Sequence, residues 1–360
     1  MPSRTRVIVA MSGGVDSAVA AARLVDEGHD VVGVTLHLWD YPDDGDAKAH
    51  GRCCAPEDQY DARRTADVLG FPHFTFDRRA LFARTVVEPF VEAYLAGTTP
   101  SPCTACNRGV KLGELFALAD RLGASHVATG HYARTGRDDR GAPFLREGKD
   151  PSKDQSYFLY ATPRAQIERL MFPLGDSLKS EVRAEAIARR IPGATKGESQ
   201  ELCFVGAGAG AYASFVEERA RDRIRPGPIV DGEGRVVGTH EGVHRFTVGQ
   251  RKGLGVALGE RTFVAAIEPD TATVRLGKSD ALAAATAVVD DLVLAPGVTL
   301  PADARVRVRY RHEGEAARIE ANDAGTGATI AFARPVRAVS RGQIAVFYDG
   351  DRVLGGGRIC

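Results

Sequence analysis

The chain has 360 residues, 44% hydrophobic and 26% charged, and its 47 Lys and Arg side chains cancel its 47 Asp and Glu. That length is too great for one ordinary core and sets an expectation of two or three domains, and the balanced composition excludes a fibrous or disordered chain. Zero net charge argues against indiscriminate polyanion binding but leaves room for local basic patches. Taken in order, residues 7–11 read as a short apolar strand, and 17–27 as a helix stopped by Gly28. Residues 31–36 are a nearly continuous apolar run, as in a strand buried on both faces. A helix at 57–69, a strand at 74–76, helices at 80–96 and 109–122, and a strand from 126 into a glycine turn at 130 follow. That alternation implies a parallel sheet with helices on both faces and a ligand at the carboxyl ends of the strands.

The small-residue stretch 206–210 suits a linker, and the glycine-rich 225–263 suits a small β module. From 288 onward the pattern is all strand, at 288–294, 304–311, 316–320, 328–333, 343–348 and 352–359, which suggests a small barrel or sandwich. No internal repeat is visible. No apolar run approaches the roughly 18 residues of a membrane helix. The start, Met1-Pro-Ser-Arg-Thr-Arg6, leads into a strand rather than a signal-peptide core. The expectation is a cytoplasmic protein, with no membrane segment, whose six cysteines stay mostly reduced.

Two features carry chemistry. The first is Ala10-Met-Ser12-Gly13-Gly14-Val15-Asp16-Ser17, where a strand runs through two glycines into a helix. Glycines let the backbone approach an anion, and the start of a helix favours one. The Gly-x4-Gly-Lys spacing of a Walker A loop is absent. The second is cysteine. Cys103-Thr-Ala-Cys106 lies in a Pro-rich loop just before a helix, where a thiolate is stabilised. It also reads as half of a zinc or iron–sulfur site that Cys53, Cys54 and Cys203 could complete. Cys203 by itself reads as a small buried hydrophobe. A phosphate loop with two separated cysteines suggests a reaction type. Adenylation makes a carbonyl oxygen a good leaving group, one cysteine carries sulfur as a persulfide, and the other releases it. Further along, Arg305, Arg307, Arg309 and Arg311 alternate with Val306, Val308 and Tyr310. Period-two spacing puts four guanidiniums on one strand face, as a solvated barrel wall or a phosphate contact.

The loop Ser12-Gly-Gly-Val-Asp-Ser17 resembles the pyrophosphate loop of ATP pyrophosphatases. With Thr99-Pro-Ser-Pro-Cys-Thr-Ala-Cys-Asn107, Ala128-Thr-Gly-His-Tyr132, Lys153-Asp-Gln-Ser-Tyr157, Glu198-Ser-Gln-Glu-Leu-Cys203 and Thr247-Val-Gly-Gln-Arg-Lys-Gly-Leu-Gly255, it occurs in the order found in tRNA-specific 2-thiouridylases. Together with Val306-Arg-Val-Arg-Tyr-Arg311, the resemblance spans nearly the whole chain. It implies an α/β fold: a Rossmann-like parallel-sheet adenylating domain at 1–205, a small β-rich central module at 206–283 and a tRNA-binding C-terminal β-barrel at 284–360.

The resemblance also implies ATP, as its Mg2+ complex, on Ala10, Met11, Ser12, Gly13, Gly14, Val15, Asp16 and Ser17, with Leu36 and Gly130 lining the adenosine pocket. Cys106 would be the nucleophile and Cys203 the persulfide carrier. Ser101, Pro102 and Cys103 would lie near the target base. His131, Lys153, Asp154, Gln155, Arg309, Tyr310 and Gln343 would contact tRNA. The implied product is 2-thiouridine at the wobble position. The implied partners are the anticodon loop of tRNA and a sulfur-relay donor protein or cysteine desulfurase. Many members read Asn-Pro-Asp where this chain has Ser101-Pro102-Cys103, so an acidic residue is replaced by a thiol. The rival reading is a pyrophosphate-loop RNA thiolase that holds an iron–sulfur cluster on Cys103 and Cys106.

Overall fold

The computed structural model describes residues 4–40, 56–196, 202–206, 208, 210–256 and 259–360. Its first part contains the strands β1 (Arg6–Ala10), β2 (Asp30–His37), β3 (His73–Asp77) and β4 (His126–Ala128). A hairpin of β5 (Ala133–Arg137) and β6 (Pro143–Glu147) precedes the short β7 (Leu170–Met171). Strands β3, β2, β1, β4 and β7 form a parallel sheet in that order. Val7, Ile8 and Val9 are fully buried, because helices cover both faces of the sheet. Helix α1 (Val15–Asp26) owes its depth to small side chains. Ala21 and Leu24 pack on β1, while Ala18, Val19 and Ala22 pack against Val182 and Ala186 of the helix Lys179–Ala188. Helix α2 (Pro56–Leu69) adds Ala62 and Ala66 to the sheet side. Two long helical stretches, 79–95 and 102–121, fill the other face with Phe82, Phe90, Leu112 and Leu115.

A second sheet has the order β10-β11-β8-β9, from β8 (Gly227–Val230), β9 (Val236–His240), β10 (Phe263–Glu268) and β11 (Thr273–Gly277). It has a core of its own around Ile229, Val264 and Val274. The last part contains β12 (Ala283–Leu294), β13 (Ala302–Arg307), β14 (Glu315–Ala321), β15 (Ala328–Arg337), β16 (Ile344–Asp349) and β17 (Arg352–Ile359). They pair in the order β12-β15-β14-β13-β16-β17, and β17 returns to β12, closing a six-stranded barrel. Alternate residues such as Val306, Ile319, Ile330 and Phe347 fill it.

The barrel and the parallel-sheet part share backbone and buried charge. Strand β17 pairs with β6 at Arg352 and Arg146, so the β5–β6 hairpin extends the barrel sheet. Asp351 accepts from both Arg134 (3.0 Å) and Arg146 (2.7 Å) at that seam. Deeper in, Arg307 is only 7% exposed. Its guanidinium reaches Asp154 Oδ2 at 2.7 Å and Glu147 Oε1 at 3.2 Å. Arg305 takes the other Glu147 oxygen at 2.7 Å.

Several elements differ from the sequence reading. The strand expected over 304–311 stops at Arg307. Arg307 folds back to donate to the carbonyls of Tyr310 and His312, which closes a turn. The expected face of four guanidiniums therefore does not form. Arg305 and Arg307 are held by acids of the other domain, and Arg309 and Arg311 are exposed on the turn. The helix expected from 109 begins at Pro102, whose fixed φ and missing N–H suit a first turn, so both cysteines lie within the helix rather than before it. Beyond the glycine-rich 206–210, the helix Ala211–Ala220 is an element that the sequence reading did not find. Its Phe215 packs at 5.3 Å from Phe204 and 6.1 Å from Phe90, on the core of the parallel-sheet part.

Removing one member of a buried ion pair strands the other. Arg307→Met should lower unfolding free energy by about 3–5 kcal/mol in denaturant melts. The double change Arg307→Met, Asp154→Leu should restore much of it. Equal stabilities for wild type and Arg307→Met would mean that the pair does not tie the two domains.

Candidate active site

The sequence Ser12-Gly-Gly-Val-Asp-Ser17 turns from β1 into α1 and is braced from within. Ser17 Oγ accepts from the Ser12 amide at 3.2 Å and donates to the Gly14 carbonyl at 3.0 Å. Two glycines make the approach of neighbouring elements possible. Gly13 has φ +76°, and a Cβ there would lie 2.0 Å from the Asp58 carbonyl oxygen of α2. A Cβ on Gly130, in the turn after β4, would lie 2.8 Å from the Ser17 amide nitrogen. The first N–H groups of a helix have no partner inside the helix, so the start of α1 is suited to an anion.

A cavity of about 1010 Å³ opens over this loop. It lies where β2 and β4 flank β1 on opposite sides, the switch point at which doubly wound sheets bind ligands. Ala10, Met11, Ser12, Gly14, Val15, Asp16 and Ser17 form one wall, with Leu36 and Gly130 beside them. Gly13 belongs to the same turn but faces α2. The opposite wall is built from Ser101, Pro102, Cys103, Gln343, Arg309 and Tyr310. His131, Lys153 and Gln155 close a side. Gln343 donates to the carbonyls of Thr99 (3.0 Å) and Pro100 (3.2 Å), pinning the segment that leads to Cys103. Gln155 is clamped in both directions to the Tyr132 backbone, at 3.0 and 2.8 Å.

Besides Gly13, three expected site residues lie off this lining. Asp154 is 3% exposed and is used by the amides of Gly148 and Ser156 and by Arg307, so its role here is internal. Cys106 is 6% exposed, in the main hydrophobic cluster. Cys203 is half-buried and packs against the same cluster, and its neighbours Leu202 and Val205 reach the cavity. Cys103, by contrast, is exposed and on the cavity wall. Residues 198–201 of the Cys203 motif, and Cys53 and Cys54, lie outside the described residues. Among the described residues no three His, Cys, Asp or Glu side chains converge as a metal-ligand set.

The cavity also gathers Lys111, Lys179, Arg183 and Lys196, which the motifs did not reveal, beside Lys153, Arg309 and Arg311. Among the described residues the acids on the lining are Asp16 and Asp58. A chain of zero net charge thus concentrates cations at one place. Lys179 Nζ reaches Asp16 Oδ1 at 2.6 Å and Oδ2 at 2.7 Å, and Tyr132 donates to Asp16 Oδ1 at 2.8 Å. Lys196 pairs with Asp58 (3.0 Å) and Asp61 (2.5 Å). Burial raises the Asp58 pKa, and the adjacent Lys196 works against that rise. His131 is driven the other way. Burial first, and then Lys111, pushes its pKa down to about 3, so it is a neutral imidazole that bonds the Thr129 hydroxyl at 2.8 Å. An aromatic pair completes the wall near Cys103: Phe158 and Tyr310, both on the lining, have ring centroids 4.5 Å apart. Arrangements of this kind can hold a triphosphate on one side and a planar base on the other.

Three family models match in succession: "tRNA methyl transferase HUP domain" over residues 5–207, "tRNA methyl transferase PRC-barrel domain" over 213–278 and "Aminomethyltransferase beta-barrel domain" over 291–359. A relative from Sorangium cellulosum named tRNA-specific 2-thiouridylase MnmA is 63% identical, with 99% of this chain and 92% of that protein covered. The chain belongs to the tRNA-specific 2-thiouridylase family. Another member of the family, from Moorella thermoacetica, is 45% identical, with 98% of each chain covered. A solved 4-thiouridine synthetase–RNA complex with bound ATP aligns at a TM-score of 0.35 and 13% identity, over 61% of this chain and 51% of that one, too slight a likeness to argue from.

Two outcomes follow from the geometry. Lys179→Met removes the cation beside the loop and should weaken nucleoside triphosphate binding about tenfold in calorimetry; unchanged affinity would place the triphosphate elsewhere. His131 binds its proton far less readily folded than unfolded, so its contribution to stability is lost as pH falls below the unfolded value near 6.5. Relative to His131→Gln, the wild type should lose up to about 2 kcal/mol of unfolding free energy between pH 7 and 5, and nothing above pH 7. A constant difference across that range would mean that the folded imidazole titrates normally.

Proposed function

We propose that this chain is an ATP-dependent tRNA-uridine 2-sulfurtransferase that acts on the wobble uridine. The observation that carries the reading is the shared cavity: the Ser12–Ser17 loop on one wall, Cys103 with Phe158 and Tyr310 on the other, and the Cys203 segment at its edge. The full-length relatives named as thiouridylases support the same activity. Two of the family models are described as methyl transferase domains and the third as an aminomethyltransferase barrel, but a phosphate loop facing cysteines suits activation of an oxygen followed by sulfur attack.

In the reaction, the triphosphate of ATP lies over Gly14–Ser17 with Lys179 and Lys196 as counter-charges. Asp16, whose two oxygens Lys179 engages, would be the carboxylate that helps hold an accompanying Mg2+, which would supply further positive charge to the phosphates. The uridine, splayed out of the anticodon loop, stacks against the Phe158–Tyr310 pair, and Lys153, Arg309 and Arg311 meet the backbone phosphates. Its O2 attacks the α-phosphorus and pyrophosphate leaves. The terminal sulfur of a Cys203 persulfide then attacks C2 and displaces AMP. Cys106 thiolate attacks Cys203 Sγ, the new C2–sulfur bond stays on the base, and a Cys106–Cys203 disulfide forms. A sulfur-relay protein or cysteine desulfurase reloads Cys203, and a reductant restores the thiols. Tyr132, Lys179 and Gln155 act by positioning: they hold Asp16 and the turn after β4.

The test is nucleoside mass analysis of unmodified tRNA after incubation with the protein, Mg-ATP and a persulfide donor. One sulfur-for-oxygen exchange on uridine, dependent on ATP and lost in Cys203→Ser, is the expected result. AMP release without a mass change would leave the adenylating half standing and remove the sulfur roles of Cys106 and Cys203. Visible absorbance of protein purified without oxygen would favour the iron–sulfur reading instead.

A further inference from the structure

Cys103 and Cys106 lie three positions apart in one continuous helical stretch, 102–121, so they share a helix face about one turn apart. Their environments are opposite. Cys103 is exposed on the cavity wall, and Cys106 is 6% exposed in the main apolar cluster. Cys203 packs against that same cluster. If a turnover ends in a Cys106–Cys203 disulfide, the bond joins a residue of the main apolar cluster to one packed against it, and neither sulfur's residue is on the cavity lining. A reductant has to bring a thiolate into line with a sulfur, and an enclosed disulfide offers it little access. Among the described residues, Cys103 is the thiol that is both next to Cys106 and on the cavity lining.

We propose that Cys103 is the resolving thiol of a three-cysteine relay, which moves the disulfide left by each turnover from the apolar cluster to the cavity wall. The proposal rests on the persulfide reading above. Cys103 thiolate attacks Cys106 Sγ; the Cys103–Cys106 bond forms as the Cys106–Cys203 bond breaks, and Cys203 departs as a thiolate. This step exchanges one disulfide for another, with no net oxidation. Cys203 is thereby free to take the next sulfane sulfur before any reductant has acted. An external dithiol, either a small molecule or a dithiol protein, then attacks Cys103 Sγ. Its second thiol displaces Cys103 and closes its own disulfide, so that two electrons and two protons pass to Cys103 and Cys106. The Cys-x2-Cys spacing is that of dithiol redox motifs, in which one sulfur is accessible and the other is shielded.

The experiment uses full-length protein loaded with persulfide and given ATP and unmodified tRNA without reductant. After one turnover it is quenched by acid and alkylation, and the disulfides are mapped by non-reducing peptide mass spectrometry. The wild type should contain the Cys103–Cys106 linkage, and Cys103→Ser the Cys106–Cys203 linkage. With dithiothreitol present, the ratio of later turnovers to the first should fall roughly tenfold in Cys103→Ser, whatever that change does to the first. The linkage decides: wild-type protein holding only Cys106–Cys203 overturns the relay. If the wild type makes no thiolated uridine, the functional reading fails. The relay is then judged on the protein alone, equilibrated in a thiol–disulfide buffer. Cys103–Cys106 as the dominant linkage supports it, and its absence overturns it.

Discussion

Asp154 and Arg307 come from parts of the chain far apart in sequence and meet at 2.7 Å in a place nearly closed to water. Both charges are desolvated, so each is tolerable only with the other present, and the contact sets the relation of barrel to parallel sheet. From that fixed point the barrel's 308–312 turn reaches over the β1–α1 loop, because the same guanidinium that meets Asp154 also holds the Tyr310 and His312 carbonyls. The cavity is the space left between the two. Its β1–α1 side belongs to the first part alone; the rest of the lining combines Ser101, Pro102, Cys103 and Phe158 of the first part with Arg309, Tyr310 and Gln343 of the barrel.

Charge is distributed by the same logic. Arginines that look alike in sequence are divided by what they touch: Arg305 and Arg307 neutralise Glu147 and Asp154, while Arg309, which donates to the Arg337 carbonyl, and Arg311 lie exposed on the cavity lining. Within the cavity, Asp16 and Asp58 prevent the cations from repelling one another without ligand, since Lys179 and Lys196 each have an acid to lean on. A polyanion entering the cavity would compete for these lysines, so its binding would rearrange ion pairs that already exist. The neutral His131 adds a polar contact without adding charge.

Much of this was legible in the sequence. The loop was, because Gly13 and Gly14 between a valine-rich strand and a small-residue helix have few other uses. The barrel strands were, because Asn322-Asp-Ala-Gly325 and Asp349-Gly350 punctuate them, and β17 matches its expected bounds. Lys179 was not. It opens a helix that has no motif, and its partner Asp16 lies 163 residues away. Period-two alternation correctly put Arg305 and Arg307 on one face of β13. Alternation cannot say whether that face meets water or another domain, and here it meets Glu147 and Asp154. The early start of the 102–121 helix was hidden by its two prolines, Pro100 and Pro102, which read as loop although the second is well placed for a first turn.

Strand β17 has a further consequence, which concerns time. It is synthesised after every other described strand, yet it is the strand that closes the barrel on β12 and the one that covers the edge of β6. Until it arrives, the barrel is an open sheet and the hairpin of the first part presents an unpaired edge, the situation in which strands join the wrong neighbour. The parallel sheet with its β1–α1 loop can fold early, but the cavity over that loop is completed only when the barrel closes. A chain cut short before Arg352 should therefore keep the loop but lack the barrel's share of the cavity lining.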